Sequence, residues 1–302
     1  MKRRSSNPSI SIPAPAKINL FLSVGGKRED GFHELVTVLV KLDLCDLITL
    51  EPTGEREEII CRCIDDDSLS GDRNLASQAV RVWREATGDD QGVSITIKKR
   101  IPIMAGLGGG SSDASATLGA LNKMHGNKLS PRELSEVAAR LGSDCPAFLV
   151  QGGCVAGGRG EKVRALDQKA GDRLAGRRIF LLKPPIGFST REVYARFADA
   201  GDNDSWSGKD MMKVVRDWED SDLEIGELTR NDLQTVVFEK YPFMPAMFEI
   251  LNRQFGSNPL MSGSGSCCFV AVSEAASFDQ FALLVRESWG EEAFVFEARI
   301  RP

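Results

Sequence analysis

The chain has 302 residues, enough for one large domain or two ordinary ones around a buried core. Hydrophobic residues make up 42% and charged residues 27%, fractions that exclude extended disorder as the main state. Lys and Arg number 38 against 43 Asp and Glu, and the formal net charge of −5 gives no global positive field for a nucleic acid.

Hydropathy and residue counts also argue against a membrane-spanning, secreted or zinc-binding protein. No stretch approaches the roughly 18 uninterrupted apolar residues that a membrane-spanning helix needs. The first residues, MKRRSSNP, are positive but lack the following apolar run of a signal peptide, so we expect a cytoplasmic protein. Seven scattered cysteines and two histidines predict reduced thiols and no structural zinc site. Any metal should be a hard cation bound to oxygens or to a nucleotide.

The first predicted element is a strand over residues 10–24, rich in β-branched and aromatic residues after two early prolines. Because side chains alternate along a strand, Lys17 and Asn19 should point to the same face. A single lysine in a strand is usually a surface residue, so Lys17 gains interest only from the motifs around it.

A mixture of strands and helices is predicted next. Residues 36–50 are rich in β-formers, and residues 93–97, VSITI, alternate with period two. Between these stretches, Asn74 is a typical N-cap for a helix with one apolar face, and Gly88 is a typical end for it.

A glycine-rich segment carries the strongest local signal. In IPIMAGLGGGSSDASATLGALN a predicted strand runs into glycines at 106 and 108–110, after which Ser111 and Ser112 open a predicted helix. Glycines allow close approach of a ligand, and free N–H groups at a helix start attract phosphate, so the segment predicts an anion site. It matches neither a Walker loop nor a dinucleotide fingerprint. The alternative is a flexible turn with a serine cap.

The stretch SPRELSEVAARLG predicts a well-capped helix, with Ser130 as N-cap, Glu133 completing a capping box and Gly142 after the last turn. Asp144 then lies just past a helix end, where the helix dipole disfavours a carboxylate. This position hints at a functional role for Asp144. The alternative is a turn or a cap for the next segment.

The glycine-rich residues 152–160 and the charged run to Arg178 are interpreted as a connection between halves, which predicts domains at 1–165 and 166–302. The acidic stretch 201–227 receives no role. The elements predicted beyond the connection are strands near 179–183 and 267–273 and a helix around 275–288.

A second glycine-serine loop spans residues 262–266, SGSGS, before an apolar run. Alone it fits a tight turn as well as a loop that approaches a ligand. Two such loops in opposite halves of the chain suggest one cleft between two lobes.

Five ordered motifs together resemble a known superfamily. They are APAKINLFLSVGGKREDGFHEL, the glycine-rich segment, GSDCPAFL, NDL at 231–233 and LMSGSGSC. Their order and approximate spacing are similar to those of the GHMP kinases, named for galactokinase, homoserine kinase, mevalonate kinase and phosphomevalonate kinase. PAKINLFL, GKREDGFHEL and the triple glycine before Ser-Ser-Asp resemble the members that act on a cytidylyl-linked methylerythritol. The resemblance covers about residues 10–273.

The resemblance implies an α+β fold with an active site in the cleft between two lobes. The N-terminal lobe would be of the ribosomal protein S5 domain 2-like type and the C-terminal lobe an α/β sandwich. ATP, with Mg²⁺ expected on the nucleotide, would phosphorylate the 2-hydroxyl of the substrate, a step of non-mevalonate isoprenoid precursor synthesis. Asp144 would accept the hydroxyl proton and Lys17 would stabilise the reacting groups by its charge. The implied ATP-binding residues are Pro102, Gly106, Leu107, Gly108, Gly109, Gly110, Ser111 and Ser112.

Substrate recognition follows from the same resemblance. Phe32 and Tyr194 would sandwich the cytosine ring, and His33 would hydrogen-bond its edge. From its own context His33 would be a surface or internally satisfied histidine. The remaining residues of the predicted substrate site are Asn19 and Thr190, at the methylerythritol end, together with Gly263 and Ser264. No nucleic acid, membrane or obligate protein partner is implied.

The sequence departs from the family pattern at a few positions. Phe32 stands where the family usually has Tyr, which keeps a stacking face and loses a hydroxyl. Ser115 replaces a common alanine after the glycines. Cys145 and Ala147 replace the usual valine and phenylalanine, so packing behind Asp144 should differ while the carboxylate stays.

Other interpretations stay open at this point. A GHMP kinase for another alcohol, such as homoserine or a mevalonate-type acid, would not need His33 between aromatic rings. A catalytically silent relative that binds a nucleotide or a protein would have no chemical reason to keep Lys17, Asp144 and both loops. A nucleic-acid-binding module is disfavoured by the acidic balance.

Overall fold

The computed structural model describes residues 9–201, 208–256 and 258–302. Residues 1–8, on which the prediction of a cytoplasmic location depends, lie outside the described ranges, as do residues 202–207 of the acidic stretch. Across the described ranges, no helix combines the length and the apolar character needed to cross a membrane.

Helices and strands are interspersed along the chain. The strands are Ile10–Lys27 (β1), His33–Arg56 (β2), Ile59–Cys63 (β3), Gln91–Lys98 (β4), Cys154–Gly158 (β5), Lys162–Ala165 (β6), Arg178–Lys183 (β7), Arg230–Asn231 (β8), Leu260–Met261 (β9), Cys268–Val272 (β10) and Phe294–Arg299 (β11). The α-helices are Leu75–Thr87 (α1), Gly109–Met124 (α2), Pro131–Ala139 (α3), Cys145–Leu149 (α4), Gln168–Leu174 (α5), Thr190–Asp199 (α6), Gly208–Asp220 (α7), Leu233–Lys240 (α8), Phe243–Phe255 (α9) and Phe278–Trp289 (α10).

The first of two compact units combines residues 9–16 with residues 44–101 and 108–150. Here β4 pairs antiparallel with the second half of β2 and parallel with β3. Side chains of β4 alternate, which buries Ile95 against Trp83 of α1 and Leu118 of α2. The long helix α2 is thereby held against α1 in a dry core.

The second unit combines residues 17–43 and 102–107 with the described residues of 151–302. The first half of β2 pairs antiparallel with β5, β5 with β6, and β1 runs parallel to β8. A separate antiparallel sheet has the order β11-β7-β10-β9. Phe180 of β7, Val270 of β10 and Phe281 of α10 are buried in its core.

Local sequence signals position several elements as predicted. Asn74 caps α1 by accepting from the Ala76 amide at 2.8 Å, and Gly88 ends the helix in a left-handed conformation with φ of 67°. Ser130 and Glu133 form the predicted capping box of α3. That helix ends at Ala139, earlier than predicted.

The interpretation of 152–160 as a connection is wrong in one respect. Cys154–Gly158 forms β5, which pairs with both β2 and β6 and is buried throughout. Glycine suggested a linker, but neighbouring backbones supply the hydrogen bonds that order this segment. The compact units are discontinuous in sequence because β1 and β2 each pass from one to the other. The domain boundary at 165/166 stays a prediction.

Replacing the N-cap of α3 tests the local account of this helix. Ser130→Ala removes the acceptor for the Glu133 amide and half of the capping box, so the free energy of unfolding should fall by about 1 kcal/mol. Urea unfolding measures the change. Ser135→Ala, inside the same helix, is the control and should be nearly neutral. Equal stability of the two variants would contradict the assigned cap.

Candidate active site

Lys17 lies on β1 and is buried, with 5% of its surface exposed, so it is not a surface residue. As the strand period predicts, Lys17 and Asn19 share a face: the Lys17 Nζ donates to Asn19 Oδ1 at 2.5 Å. Asn19 in turn donates to Thr37 Oγ1 at 2.8 Å, and Thr37 donates to the Phe21 carbonyl at 2.6 Å. This series of hydrogen bonds fixes the direction of the buried ammonium group.

The start of the glycine-rich segment is held beside Lys17 in the second unit. The Lys17 amide donates to the Leu107 carbonyl at 3.0 Å. Gly106 has a φ of +72°, and a Cβ at this position would lie 2.1 Å from the Ser262 carbonyl oxygen. Ser262 Oγ donates to the Gly106 carbonyl at 2.9 Å. Both glycine-containing loops therefore meet at Gly106, where a side chain has no room.

The second loop also reaches the lysine. Gly263 has a φ of +56°, and a Cβ there would lie 3.2 Å from Lys17 Nζ. Ser264 Oγ and Thr190 Oγ1, at the start of α6, are 2.9 Å apart. Of the predicted substrate residues, Asn19 and Gly263 thus lie beside Lys17, and the paired Ser264 and Thr190 follow along the second loop. These four residues and Lys17 are called the polar cluster.

Asn231 is a site residue that sequence reasoning did not single out. It is buried, and its Nδ2 donates to the carbonyls of Met261 at 2.7 Å and Gly263 at 2.8 Å. Its Oδ1 accepts from the Leu233 amide at 3.0 Å. Asn231 therefore sets the path of the second loop. The NDL motif was the available signal, but only the fold shows what this asparagine holds.

The remainder of the glycine-rich segment begins α2 in the first unit. Gly108 is the N-cap, with φ of +70° and no side chain to cap the helix. The first bond of the helix runs from the Ser112 amide to the Gly108 carbonyl. The amides of residues 109–111 come before this bond, so no turn of α2 uses them. Such a helix start suits an anion.

Asp144 also lies in the first unit, directly before α4, and its side chain is half-buried. Although it occupies the N-cap position, its carboxylate makes no capping hydrogen bond, so the cap interpretation gains no support. The unusual Ser115 donates to the Cys145 carbonyl at 2.8 Å. This bond ties α2 to the residue that follows Asp144.

His33 and Tyr194 come together in the second unit, with ring centroids 5.9 Å apart. His33 is buried, and its Nδ1 lies 3.1 Å from the Gly25 carbonyl. Phe32 keeps 49% of its surface exposed, and the Arg159 guanidinium sits 5.0 Å over its ring. An exposed aromatic face and a buried, oriented imidazole are thus adjacent in sequence.

A buried ion cluster precedes the helix start, and no sequence pattern pointed to it. Lys99 Nζ lies 2.5 Å from Asp46 Oδ2 and 2.8 Å from Asp113 Oδ2. Asp46 also accepts from the amides of Arg100 and Ile101, at the end of β4. Burial raises the pKa of Asp113 to about 7. The charge of Lys99 lowers this pKa, and the nearby Asp46 carboxylate raises it. The cluster anchors the backbone that leads into the glycine-rich segment.

Two family models match the chain. Residues 74–152 match the N-terminal domain of the GHMP kinases, and residues 211–290 match their C-terminal domain. Together they cover α1 to α4 in the first unit and α7 to α10 in the second.

Similar proteins agree with these models. A 4-diphosphocytidyl-2-C-methyl-D-erythritol kinase of Geobacillus thermodenitrificans is 42% identical over 86% of this chain and 87% of its own length. That of Carboxydothermus hydrogenoformans is 39% identical over 85% and 86%. A solved 4-(cytidine 5'-diphospho)-2C-methyl-D-erythritol kinase has 30% identity and a TM-score of 0.73, with 96% of this chain and 99% of the other covered.

A more distant structure shares the fold. The mevalonate kinase of Methanococcus jannaschii has a TM-score of 0.72 at 18% identity, covering 99% of this chain and all of the other. The predicted α+β fold of the GHMP kinases is therefore confirmed.

The raised pKa of Asp113 makes the free energy of unfolding depend on pH. The folded chain binds this proton more tightly than an ordinary carboxyl with a pKa of 3.8, so the contribution is full below about pH 4 and is lost as the pH rises through about 7. In the wild type this effect makes the free energy of unfolding fall between pH 4 and 8. In Asp113→Asn the fall over the same range should be smaller by roughly 1–3 kcal/mol.

Urea unfolding across this pH range measures the difference, with the exposed Asp172→Asn as the control. An Asp113→Asn variant whose pH dependence equals that of the wild type would contradict the raised pKa.

Proposed function

The chain belongs to the 4-diphosphocytidyl-2-C-methyl-D-erythritol kinase family within the GHMP kinases, and we propose that it transfers a phosphoryl group from ATP to the 2-hydroxyl of this cytidylyl substrate. The products are ADP and the 2-phosphate, in the non-mevalonate route to isoprenoid precursors. The observation that carries the proposal is the buried Lys17 ammonium, which Asn19 orients and which lies beside Gly263 of the second loop. The first loop is bonded to the Lys17 backbone through the Leu107 carbonyl.

The reaction needs a base and a cation. A hydroxyl is a weak nucleophile, and the Asp144 carboxylate, uncommitted to capping α4, can accept its proton. Lys17 offsets negative charge that develops on the transferring group, and its burial strengthens this effect because water screens the charge less. Asn19 keeps the ammonium pointing in one direction before the reaction begins.

ATP fits the start of α2. The glycines at 106 and 108–110 carry no side chain, Leu107 is buried, and the amides of 109–111 are available to phosphate oxygens. Pro102 leads into this segment and fixes the backbone before it. Across the described ranges no cluster of three or more His, Cys, Asp and Glu side chains could hold a metal. Mg²⁺ would be bound by the nucleotide phosphates, whose charge it would help to neutralise.

The imidazole of His33 can recognise cytosine through the position of its ring hydrogen. The Gly25 carbonyl can only accept, so Nδ1 carries the hydrogen and Nε2 of the neutral ring is an acceptor. Cytosine presents an amino group at N4 that donates to such an atom. Phe32 and Tyr194 supply flanking aromatic faces.

The other end of the substrate would meet the polar cluster near Lys17. The Asn19 amide has a second hydrogen beyond the one donated to Thr37. The Thr190 and Ser264 hydroxyls, joined to each other, can each also bond a substrate hydroxyl. Gly263 leaves room beside the lysine.

A cytoplasmic location completes the proposal. Each of the seven cysteines lies in the described part of the chain and is a free thiol. Free thiols are typical of reducing compartments.

Replacing Asp144 tests the proposed base. Asp144→Asn keeps the shape but cannot take a proton at neutral pH, so kcat should fall about 10²–10⁴-fold while ATP affinity changes little. Coupled ADP-release kinetics and ATP titration measure the two quantities. The control is Asp167→Asn, since Asp167 is also an N-cap without a side-chain capping bond. Full turnover in Asp144→Asn would rule out the assigned base.

Replacing His33 tests recognition of the base. In His33→Ala the acceptor for the cytosine amino group is lost, and the KM for the cytidylyl substrate should rise about tenfold or more, while the KM for ATP stays nearly constant. The other histidine provides the control, His125→Ala. Equal losses for both substrates would show that His33 acts through the fold rather than through cytosine.

A further inference from the structure

A cavity of about 570 Å³ opens in the first unit between the start of β1 and the helices α2, α3 and α4. We propose that this cavity, the α2 cavity, is a second small-molecule site that takes a compact amphipathic anion. Its volume lies within the range of ordinary ligand pockets. The lining residues all belong to the first unit, and Ser112 among them is the last residue of the proposed ATP-binding segment.

The α2 cavity lies on one definite face of α2. Ser112, Ala116, Gly119 and Lys123 recur at i, i+4, i+7 and i+11, the spacing of a single helix face. Gly110, whose Cβ position is 3.5 Å from Leu75 of α1, is two residues before Ser112 and so about 200° around the helix. The cavity therefore borders the side of α2 that faces away from α1.

A buried hydroxyl at the cavity has no hydrogen-bond partner. Ser112 is 1% exposed, and among the described residues nothing pairs with its Oγ. Ser115, one turn later, shows the usual outcome, since its Oγ lies 2.8 Å from both the Ser111 and the Cys145 carbonyl oxygens, which share its one hydrogen. Buried polar atoms are nearly always paired. A polar group of a ligand in the α2 cavity would pair with Ser112.

Gly119 keeps the cavity open. It lies inside α2, where glycine costs about 1 kcal/mol relative to alanine. Its backbone does not have the positive φ that favours glycine, and an added Cβ would meet nothing within 4 Å. Packing within the described chain therefore gives no reason for glycine, whereas a ligand lying against the helix does.

The lining indicates the chemistry of the occupant. Ile12, Leu134 and Phe148 provide apolar walls, and Lys123, exposed at the rim, is the single charged residue among those that line the cavity. An apolar body with one negative group, a carboxylate or a phosphate, matches this arrangement. Ser112 adds a hydrogen bond from the cavity wall.

Calorimetric titration of the full chain tests the site with octanoate, octyl phosphate and uncharged 1-octanol as probes. We expect saturable binding at one site, with octanol about two- to fivefold weaker than the tighter anion. Comparison of the two anions distinguishes a carboxylate ligand from a phosphate ligand. Lys123→Gln should remove the preference for anions, whereas Lys128→Gln, a nearby lysine outside the lining, should not.

Cavity-filling variants decide the location. Gly119→Leu and Ala116→Leu place a large side chain in the α2 cavity, and each should weaken the anions about tenfold or more. Gly119→Ala, which restores helix propensity, should raise the free energy of unfolding and weaken binding less than Gly119→Leu does, because its methyl group takes only part of the space left for the ligand. If Gly119→Leu fails to fold, Ala116→Leu supplies the same test. Absence of saturable binding to the wild type, or binding unchanged in the folded filling variants, would overturn the proposal.

Discussion

The contact between the two glycine-containing loops is the constraint on which the rest of the candidate site depends. At Gly106 the backbone comes so close to Ser262 that a Cβ would lie 2.1 Å from its carbonyl oxygen. The Lys17 amide bonds the first loop, and Gly263 of the second loop lies beside the lysine ammonium. The first loop is held to β1 by the Lys17 amide and the second by Asn231, so both stay beside the lysine that Asn19 orients.

Buried charge recurs on the approach to the helix start. Asp46, Lys99 and Asp113 form a nearly dry cluster where β4 leads into the glycine-rich segment. Removing one partner from such a cluster leaves an uncompensated charge, so its members constrain one another. Asp46 also accepts hydrogen bonds from two backbone amides, so the cluster fixes the position of the backbone at residues 100 and 101. Because Asp113 belongs to α2, the cluster also ties the first turns of this helix to the residues that follow β4.

Local chemistry made much of the fold predictable. A helix cap such as Asn74 or Ser130 acts within a few residues, so its sequence pattern predicts the structure directly. The period-two arrangement of Lys17 and Asn19 likewise predicted that they share a face of the strand. Asn231 differs, because its partners lie 30 and 32 residues away and no local pattern encodes such distances. The pairing of Asp113 with Lys99 and Asp46 was hidden for the same reason.

Sequence motifs identified the family, while the structure supplied reasons for individual residues. The Gly25 carbonyl, which fixes the tautomer of His33, could not be inferred from the motif that contains both. Glycine at 152–160 suggested a linker, but tertiary pairing with β2 and β6 overrides this local preference. Glycine composition predicts a loop only where no neighbouring strand can complete the backbone hydrogen bonds.

The most direct test is ADP release from ATP and Mg²⁺ with 4-diphosphocytidyl-2-C-methyl-D-erythritol, beside homoserine and mevalonate, in the wild type and in Lys17→Ala. Turnover confined to the cytidylyl substrate, and lost in Lys17→Ala, is the predicted result. Comparable kcat/KM with homoserine or mevalonate, or undiminished turnover in Lys17→Ala, would contradict the account of the buried lysine and of cytosine recognition.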